Sequence, residues 1–222
     1  SMGSNSYRSF LDRWRKNCEK KAKYDNPENS VNPTQNVTRI FRRDEDEFGN
    51  HLIVIGEYVS LKLHMQLGGT RSSHDSYSKQ ILNLKNGDSH AVRTFLHTVR
   101  ERICENSITI CCVPSHSPKS VNCGMRKLTQ NLAKYGNVDG SDCLVRTREI
   151  TKLSTGGNRD IKVHLESIEV HQRRKIMGKT ILILDDISTT GNSLKACARL
   201  VRESGAARYR CLVLGQTISK TF

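Results

Sequence analysis

The feature that most constrains the fold is a strand–helix–strand pattern near the carboxyl end of the chain. Residues 180–186, TILILDD, begin with an apolar run that is typical of a buried strand, and residues 208–215, RYRCLVLG, form a second such run. Between them, residues 192–205 place one apolar face on a helix, made of Leu194, Cys197, Ala198 and Val201. Two strands joined by one helix are typical of a βαβ unit, so the sequence predicts an α/β protein built on a parallel sheet.

The preceding residues continue this alternation. SITICCV (107–113) predicts a strand and VNCGMRKLTQNLAKYG (121–136) a helix that ends at Gly136, and weak strands are predicted around Leu144-Val145 and Ile161-Val163. Two helices are expected over residues 76–104, the second capped by Asp88, and one or two strands over residues 51–65. Residues 7–24 predict an amphipathic helix. We therefore divide the chain into an N-terminal helix plus β-rich extension, 1–77, and an α/β domain, 78–222.

The charge balance is strongly basic. The chain of 222 residues has 36 Lys and Arg against 22 Asp and Glu, for a net charge of +14. Both residues 1–43 and residues 78–222 share this excess, which is compatible with a nucleic-acid partner, with phosphate-rich small ligands, or with solubility alone. No apolar run approaches the roughly 18 residues that a membrane-spanning helix needs, so we expect no membrane segment.

The cysteines indicate buried thiols rather than a metal module. The chain has 8 cysteines, but it contains no C-x-x-C pair and no Cys/His set at the spacing of structural zinc sites. Most lie within apolar runs, where a free thiol behaves as a small hydrophobic side chain. We therefore predict reduced cysteines and a cytoplasmic location.

The residues that carry chemistry follow the strand at 180–186. Asp185 and Asp186 stand at its carboxyl end, and a short hydroxyl-rich loop, Ser188 to Ser193, leads into a helix. Ligands of open α/β sheets bind at this edge, and a helix amino terminus with small hydroxyl residues and glycine suits a phosphate. Two carboxylates beside a phosphate repel it unless the ligand also supplies hydroxyl donors or a cation. A phosphorylated sugar with Mg²⁺ satisfies both conditions.

This segment, ILILDDISTTGNS, resembles the phosphoribosyl-pyrophosphate (PRPP) signature of type I phosphoribosyltransferases. The order of ILNLKNGD, VPSHSPK, TQNLAK, LVRTREITKLSTGGNRDIKVHL and ILILDDISTTG further resembles the ComF-like competence-protein branch, over about residues 78–217. That branch commonly carries an N-terminal cysteine zinc ribbon, which residues 1–77 lack. The resemblance implies a parallel sheet flanked by helices, together with a homo-oligomer that binds PRPP or a ribose 5-phosphate-type ligand.

The resemblance also implies a role for each part of the site. Asp185 and Asp186 would be catalytic, binding the ribose hydroxyls and Mg²⁺, directly or through water, while stabilising positive charge on the sugar. The 5′-phosphate would bind to Ser188, Thr189, Thr190, Gly191, Asn192 and Ser193. Pyrophosphate would contact Ser115, His116 and Lys119, and a mobile lid would carry Arg146, Arg148 and Lys152.

These features predict a Mg²⁺-dependent phosphoribosyltransferase whose acceptor is a nitrogen nucleophile. In 6-oxopurine transferases the position of Thr189 is an aspartate that assists the base, so the threonine argues against hypoxanthine and guanine as acceptors. A second class stays open: a non-catalytic protein that keeps the fold to sense PRPP or to handle nucleic acid, since fold does not fix function. In that case the basic N-terminal helix is the expected contributor to nucleic-acid binding.

Overall fold

A computed structural model describes residues 42–45, 50–103, 105–119, 123–151 and 160–218. Its main feature is a six-stranded sheet with the strand order β1-β2-β8-β7-β3-β4. The outermost pair, β1 and β2, is antiparallel, and every other neighbouring pair is parallel. A separate antiparallel pair joins β5 to β6. The predicted N-terminal helix lies outside the described residues.

The elements have the following bounds. The strands are β1 (Arg42–Glu45), β2 (His51–Tyr58), β3 (Thr109–Cys112), β4 (Val138–Asp139), β5 (Leu144–Arg146), β6 (Ile168–Val170), β7 (Thr180–Ser188) and β8 (Arg208–Thr217). The helices are α1 (Leu61–Gln66), α2 (Ser76–Lys85), α3 (Ser89–Arg100), α4 (Cys123–Ala133), α5 (Ile161–Leu165) and α6 (Asn192–Glu203), with a 3-10 turn at Arg173–Lys175.

The sheet is buried on both faces, which explains the continuous apolar run of β7. Leu182 and Leu184 of this strand pack with α2, α3 and α4 in one apolar cluster. Ile181 and Ile183 belong to a second cluster, which contains the apolar face of α6. Side chains of a strand alternate between the two faces of a sheet, so a strand covered on both sides needs apolar residues at every position. The predicted parallel α/β sheet flanked by helices is confirmed.

The helix boundaries follow from capping side chains. Asp75 accepts a hydrogen bond from the Ser78 N–H at 2.7 Å and begins α2, while Asp88 accepts one from the Ala91 N–H at 2.8 Å and begins α3. A side chain that accepts from the first helical turn satisfies a donor that has no partner within the helix. The predicted cap at Asp88 is therefore confirmed.

The strand predicted around Ile161-Val163 is wrong, and one of the one or two strands expected over residues 51–65 forms, as β2; at both places a capping residue overrides the local β-propensity. Residues 61–65 begin helix α1, because the Ser60 hydroxyl accepts from the Leu63 N–H. Residues 161–163 begin helix α5, because the Asp160 carboxylate accepts from the Val163 N–H. Segments this short carry too little periodicity to distinguish the two structures, so a single cap decides between them.

Five cysteines of the described part of the chain are buried free thiols, as expected. They are Cys111, Cys112, Cys143, Cys197 and Cys211. Burial raises the pKa of Cys112 to about 11, so this thiol stays protonated at neutral pH. Among the described residues, no helix has the length and the apolar character that crossing a membrane requires.

Candidate active site

Four parallel strands end at the same edge of the sheet. Tyr58 of β2 pairs with Thr217 of β8, Gln216 of β8 pairs with Ser188 of β7, and Cys112 of β3 pairs with Leu184 of β7. The loops that follow β3 and β7 therefore leave the sheet side by side. Ligands of α/β sheets bind at this carboxyl edge, so the structure brings together the two loops that the sequence singled out.

The acidic pair Asp185 and Asp186 lies at the end of β7, and each residue is only 7% exposed. Asp185 Oδ1 accepts from the Asp186 N–H at 2.9 Å, and Asp186 Oδ1 accepts from the Ile187 N–H at 2.7 Å. Burial raises the pKa of Asp185 well above its ordinary value of 3.8, and the negative charge of Asp186 adds to the shift. A ligand that brings hydroxyl donors or a cation would relieve this repulsion.

The loop between β7 and α6 forms an open cradle at a helix amino terminus. The cap of α6 is Gly191, which has φ of +78° and no side chain with which to accept from the first turn. The Thr190 hydroxyl accepts from the Asn192 N–H at 3.3 Å, and the Ser193 hydroxyl lies 3.5 Å from Asp185 Oδ2. Backbone N–H groups, hydroxyls and the positive end of the helix dipole are the elements of a phosphate site.

Within this cradle the residues from 188 to 193 differ in exposure. Ser188 is buried, Thr189 and Thr190 are exposed, and Gly191 to Ser193 are half-buried. The Thr189 hydroxyl lies 2.8 Å from the Thr217 hydroxyl, and its main-chain oxygen accepts from Gln216 Nε2 at 3.4 Å. The loop is thus tied to the end of β8, which helps to hold its shape.

The loop after β3 is held against the sheet and against the segment that follows β5. The Val113 N–H donates to the Leu184 oxygen at 2.8 Å, which fixes the start of the loop beside Asp185. Further along, the Ile150 N–H donates to the His116 oxygen at 2.9 Å. Ser115 and His116 are half-buried and Lys119 is exposed, so the three predicted pyrophosphate contacts lie on one accessible loop.

At the predicted lid the structure differs from expectation. Arg146 belongs to strand β5, is only 4% exposed, and donates through Nε to the Ser115 oxygen at 2.8 Å. Arg148 is exposed and pairs with Glu166 at 3.0 Å. Lys152 lies outside the described residues. Arg146 therefore braces the neighbouring loop from a buried position in a strand, whereas a residue of a mobile lid is expected to be exposed.

The donor set at this edge fits Mg²⁺. Asp185 and Asp186 supply carboxylate oxygens, the ligands that this ion prefers. The part of the chain that the structure describes contains no group of three or more His, Cys, Asp or Glu residues that could hold a metal. Magnesium usually binds one or two carboxylates and takes its other ligands from water and substrate phosphates, so a two-carboxylate site suits it.

Sequence reasoning missed two residues of this site. Tyr58 ends β2, and its pKa is raised by burial and by the charge of Asp186, which places the phenol near that carboxylate. Gln216 approaches the Thr189 oxygen from β8. Neither residue stands in a recognisable motif, and only the pairing of β2 with β8 and of β8 with β7 brings them to the site.

Comparison with known proteins identifies a family for most of the part of the chain that contains this site. The phosphoribosyl transferase domain family matches residues 90–221, which is more than half of the chain. No curated protein matches the chain.

Three solved structures share part of the fold. A hypoxanthine phosphoribosyltransferase from Staphylococcus aureus is 13% identical, with a TM-score of 0.37, over 65% of this chain and 76% of that one. The hypoxanthine phosphoribosyl transferase of Trypanosoma cruzi is 12% identical, with a TM-score of 0.34, over 66% of this chain and 77% of that one. The allosteric regulatory enzyme of purine biosynthesis is 16% identical, with a TM-score of 0.36, over 56% of this chain and 25% of that one.

These structural similarities are too low to carry a functional argument. The family match extends from α3 through β8, and it includes both the loop after β3 and the Asp185-Asp186 strand with its glycine-capped helix. On that match and the arrangement at the carboxyl edge, this chain belongs to the type I phosphoribosyltransferase superfamily.

Proposed function

We propose that this protein is a Mg²⁺-dependent phosphoribosyltransferase that transfers the ribose 5-phosphate group of PRPP to a nitrogen nucleophile. The observation that carries the proposal is the buried acidic pair, Asp185 and Asp186, followed at once by a helix amino terminus capped by Gly191. A sugar phosphate has both parts that this arrangement needs: hydroxyl donors for the carboxylates and an anion for the helix end.

In this proposal the residues of the β7–α6 loop bind the 5′-phosphate. Their hydroxyls and the N–H groups of the first helical turn donate to phosphate oxygens, and Gly191 allows the backbone to approach the ligand because it has no side chain. The loop after β3, from Ser115 to Lys119, binds the pyrophosphate. Bound Mg²⁺ would neutralise charge on the pyrophosphate oxygens as that group leaves.

Asp185 and Asp186 act on the sugar. As pyrophosphate departs, positive charge develops on the ribose ring, and carboxylates fixed nearby in a poorly hydrated site stabilise that charge. Each carboxylate already accepts a backbone hydrogen bond, which orients it before the ligand binds. The pair therefore needs little reorganisation when the sugar charge forms.

We further propose that the acceptor is not hypoxanthine or guanine. Thr189 is exposed in the loop, and its hydroxyl cannot carry negative charge near neutral pH, so it is a poor substitute for an aspartate that exchanges a proton with a 6-oxopurine. The motif order supports a place near the ComF-like branch of the superfamily. The buried thiols support a cytoplasmic location. The resemblance supports a homo-oligomer, which light scattering would detect.

The proposed reaction is tested by following pyrophosphate release from PRPP and Mg²⁺. We expect that adenine, uracil, orotate or ammonia stimulates release by the full chain, and that hypoxanthine and guanine do not. The Asp185→Asn variant is the control for enzyme-dependent release. Stimulation only by hypoxanthine or guanine would contradict the acceptor assignment. If none of the tested acceptors stimulates pyrophosphate release and PRPP still binds, the result would favour a PRPP sensor instead.

A second candidate function, nucleic-acid handling, is favoured by a basic surface at the opposite edge of the sheet. Two segments meet there, since the Gly178 N–H donates to the Gly205 oxygen and the Ala207 N–H donates to the Lys179 oxygen. They carry a cluster of cations: Arg173, Arg174, Lys179, Arg202 and Arg208. Among the ion pairs of the described residues, none involves Arg173, Arg174 or Lys179.

The basic surface is distant from the proposed PRPP site, and separate contacts hold its 3-10 turn against the rest of the protein. Lys179 precedes β7 and the acidic pair lies near its other end, so about 20 Å separates them at roughly 3.3 Å per residue. Lys175 ties the 3-10 turn to the sheet through Asp142 at 2.9 Å and the Asp139 oxygen at 2.8 Å. Arg173 and Arg174 on the same turn stay exposed. A guanidinium group can bind one phosphate through two of its N–H groups at once, which suits a nucleic-acid backbone.

The second candidate is tested by the salt dependence of binding to a short DNA and a short RNA. Each neutralised phosphate contributes close to one unit of log–log slope, so changing Arg173, Arg174 and Lys179 to Gln should reduce the slope by about two to three units. PRPP binding should not change. Deleting residues 1–30 tests the contribution of the N-terminal segment. Absence of binding at about 50 mM salt would exclude this function.

A further inference from the structure

The buried arginine of strand β5 forms a network behind the loop that follows β3. Arg146 Nε donates to the Ser115 oxygen at 2.8 Å, and one terminal nitrogen donates to the Ser167 hydroxyl at 2.6 Å. The other terminal nitrogen lies 3.4 Å from Nδ1 of His164, which is also buried. The guanidinium plane is thus fixed by three groups, one from the loop after β3 and two from the segment that contains α5.

This network is itself anchored to neighbouring main chain. The Ser167 hydroxyl donates to the Val163 oxygen at 2.6 Å, and the Thr147 N–H donates to the Ser167 oxygen at 2.9 Å. A planar group held at several points loses little freedom when it makes one more bond, so Arg146 presents its Nε donor to Ser115 in one orientation.

Three successive carbonyl groups of the loop receive donors from the protein. The Ser115 oxygen accepts from Arg146, the His116 oxygen accepts from the Ile150 N–H at 2.9 Å, and the Ser117 oxygen accepts from the Ser115 hydroxyl at 2.8 Å. Carbonyl oxygens carry partial negative charge and would repel a bound anion. Because donors engage all three, the loop can receive an anion on its accessible side.

Arg146 also brings a full positive charge beneath this loop. At 4% exposure its charge is poorly screened by water, and burial strengthens its interaction with any anion held by Ser115 to Lys119. Arg146 has a second effect on the loop, since its Nε–H engages the Ser115 carbonyl oxygen, which would otherwise repel a bound anion. Loss of the arginine would remove the cation and release that carbonyl.

We propose that Arg146 is a positioning residue for the pyrophosphate half of PRPP, acting through the Ser115 carbonyl and through its buried charge. The proposal rests on the proposed function, because it requires that the loop after β3 binds pyrophosphate. It separates the two halves of the ligand, because the hydrogen bonds of Arg146 described above go to Ser115, Ser167 and His164, and Ser115 is the one that lies in a predicted ligand loop. Loss of Arg146 should therefore affect one half of the ligand alone.

The test compares three probes by calorimetric titration in the presence of Mg²⁺: PRPP, inorganic pyrophosphate and ribose 5-phosphate. Arg146→Met should weaken PRPP and pyrophosphate binding by about 10- to 100-fold, because it removes a buried positive charge and the charge-assisted hydrogen bond that holds the Ser115 carbonyl. Ribose 5-phosphate affinity should change by less than about 3-fold. Arg146→Lys keeps the charge and should recover part of the loss. The matched control, Arg93→Met, removes an exposed arginine of α3 and should change none of the three affinities.

A second variant keeps the test valid if Arg146→Met does not fold. Ser167→Ala removes one acceptor of the guanidinium, and it should weaken PRPP and pyrophosphate by about 3- to 10-fold with ribose 5-phosphate unaffected. Equal weakening of all three probes, or unchanged PRPP binding by a folded Arg146→Met protein, would overturn the positioning role alone. Failure of the unmodified protein to bind any of the three would instead overturn the proposed function, and the positioning role with it.

Discussion

At the scale of single residues, the acidic pair shows how a binding site opposes stability. Asp185 is almost fully buried beside Asp186, and both effects disfavour its ionised form. A carboxyl whose pKa is raised by folding binds more protons in the native state than in the unfolded state. Its contribution to stability is therefore favourable at low pH and falls as the pH rises from the unfolded pKa through the folded pKa.

We predict that Asp185→Asn stabilises the ligand-free protein at pH 8, because the amide has the same shape and no charge to bury. The gain should be about 1–2 kcal/mol in the free energy of unfolding, and it should shrink towards zero at about pH 2, where the carboxyl is protonated in both states. Urea unfolding at the two pH values measures the difference. A variant that is less stable than the unmodified protein at pH 8 would show that the ionised form is well accommodated.

Candidate site residues could be predicted from the sequence only where they lie within a short local motif. Asp185, Asp186 and the loop to Ser193 form one uninterrupted motif after a strand, so the local pattern is sufficient to identify them. The contact between Arg146 and Ser115 joins residues 31 positions apart. That contact depends on how β5 lies against the loop after β3, and no local pattern encodes this placement.

At the scale of elements, close helix contacts depend on single glycines. Gly124 lies in α4, and a Cβ built there would lie 1.6 Å from the main-chain oxygen of Leu84 in α2. Main-chain atoms of a packed helix cannot move aside cheaply, so this position accepts only glycine without a shift of one helix. The contact fixes the distance between α4 and α2 on one face of the sheet.

We predict that Gly124→Ala destabilises the protein by about 2–4 kcal/mol, through overpacking between the two helices. Gly68→Ala is the matched control, since its φ is +89° but nothing lies within 4 Å of the added methyl. It should cost only about 1 kcal/mol, the strain of a left-handed backbone. Urea unfolding of both variants gives the comparison. Equal losses would mean that α2 and α4 separate easily.

Sequence patterns were sufficient to predict the longer helices and the apolar strands. The long helices α2, α3, α4 and α6 and the apolar strands β3, β7 and β8 were predicted, because each has several residues of consistent periodicity. Strands β4 and β6 have only two and three residues, respectively, and they form because they pair with a neighbouring strand. Short strands of this kind arise from tertiary packing, which a local pattern does not contain.

At the scale of the whole molecule, the sheet separates the two candidate anion-binding regions. Its carboxyl edge carries the acidic pair, the helix amino terminus and the loop after β3, while its opposite edge carries exposed arginines and lysines. Parallel strands place helix amino termini at one edge and helix carboxyl termini at the other. The basic residues near the end of α6 therefore also complement the helix dipole.

In the proposed function, the carboxyl edge binds PRPP through the acidic pair and the phosphate cradle. The most direct measurement is calorimetric titration of the full chain with PRPP, with and without Mg²⁺, compared with the Asp186→Asn variant. Asp88→Asn is the matched control, because it changes an exposed capping aspartate of α3 and asparagine also caps helices well. Thermal unfolding verifies that each variant is folded.

We predict that the unmodified protein and Asp88→Asn bind PRPP more tightly with Mg²⁺ than without it. Asp186→Asn should lose about 10- to 100-fold in affinity, together with most of the Mg²⁺ effect, because it removes a charged acceptor from the sugar and the metal. Undiminished Mg²⁺-dependent binding by a folded Asp186→Asn protein, or no PRPP binding by the unmodified protein, would contradict the proposed PRPP site.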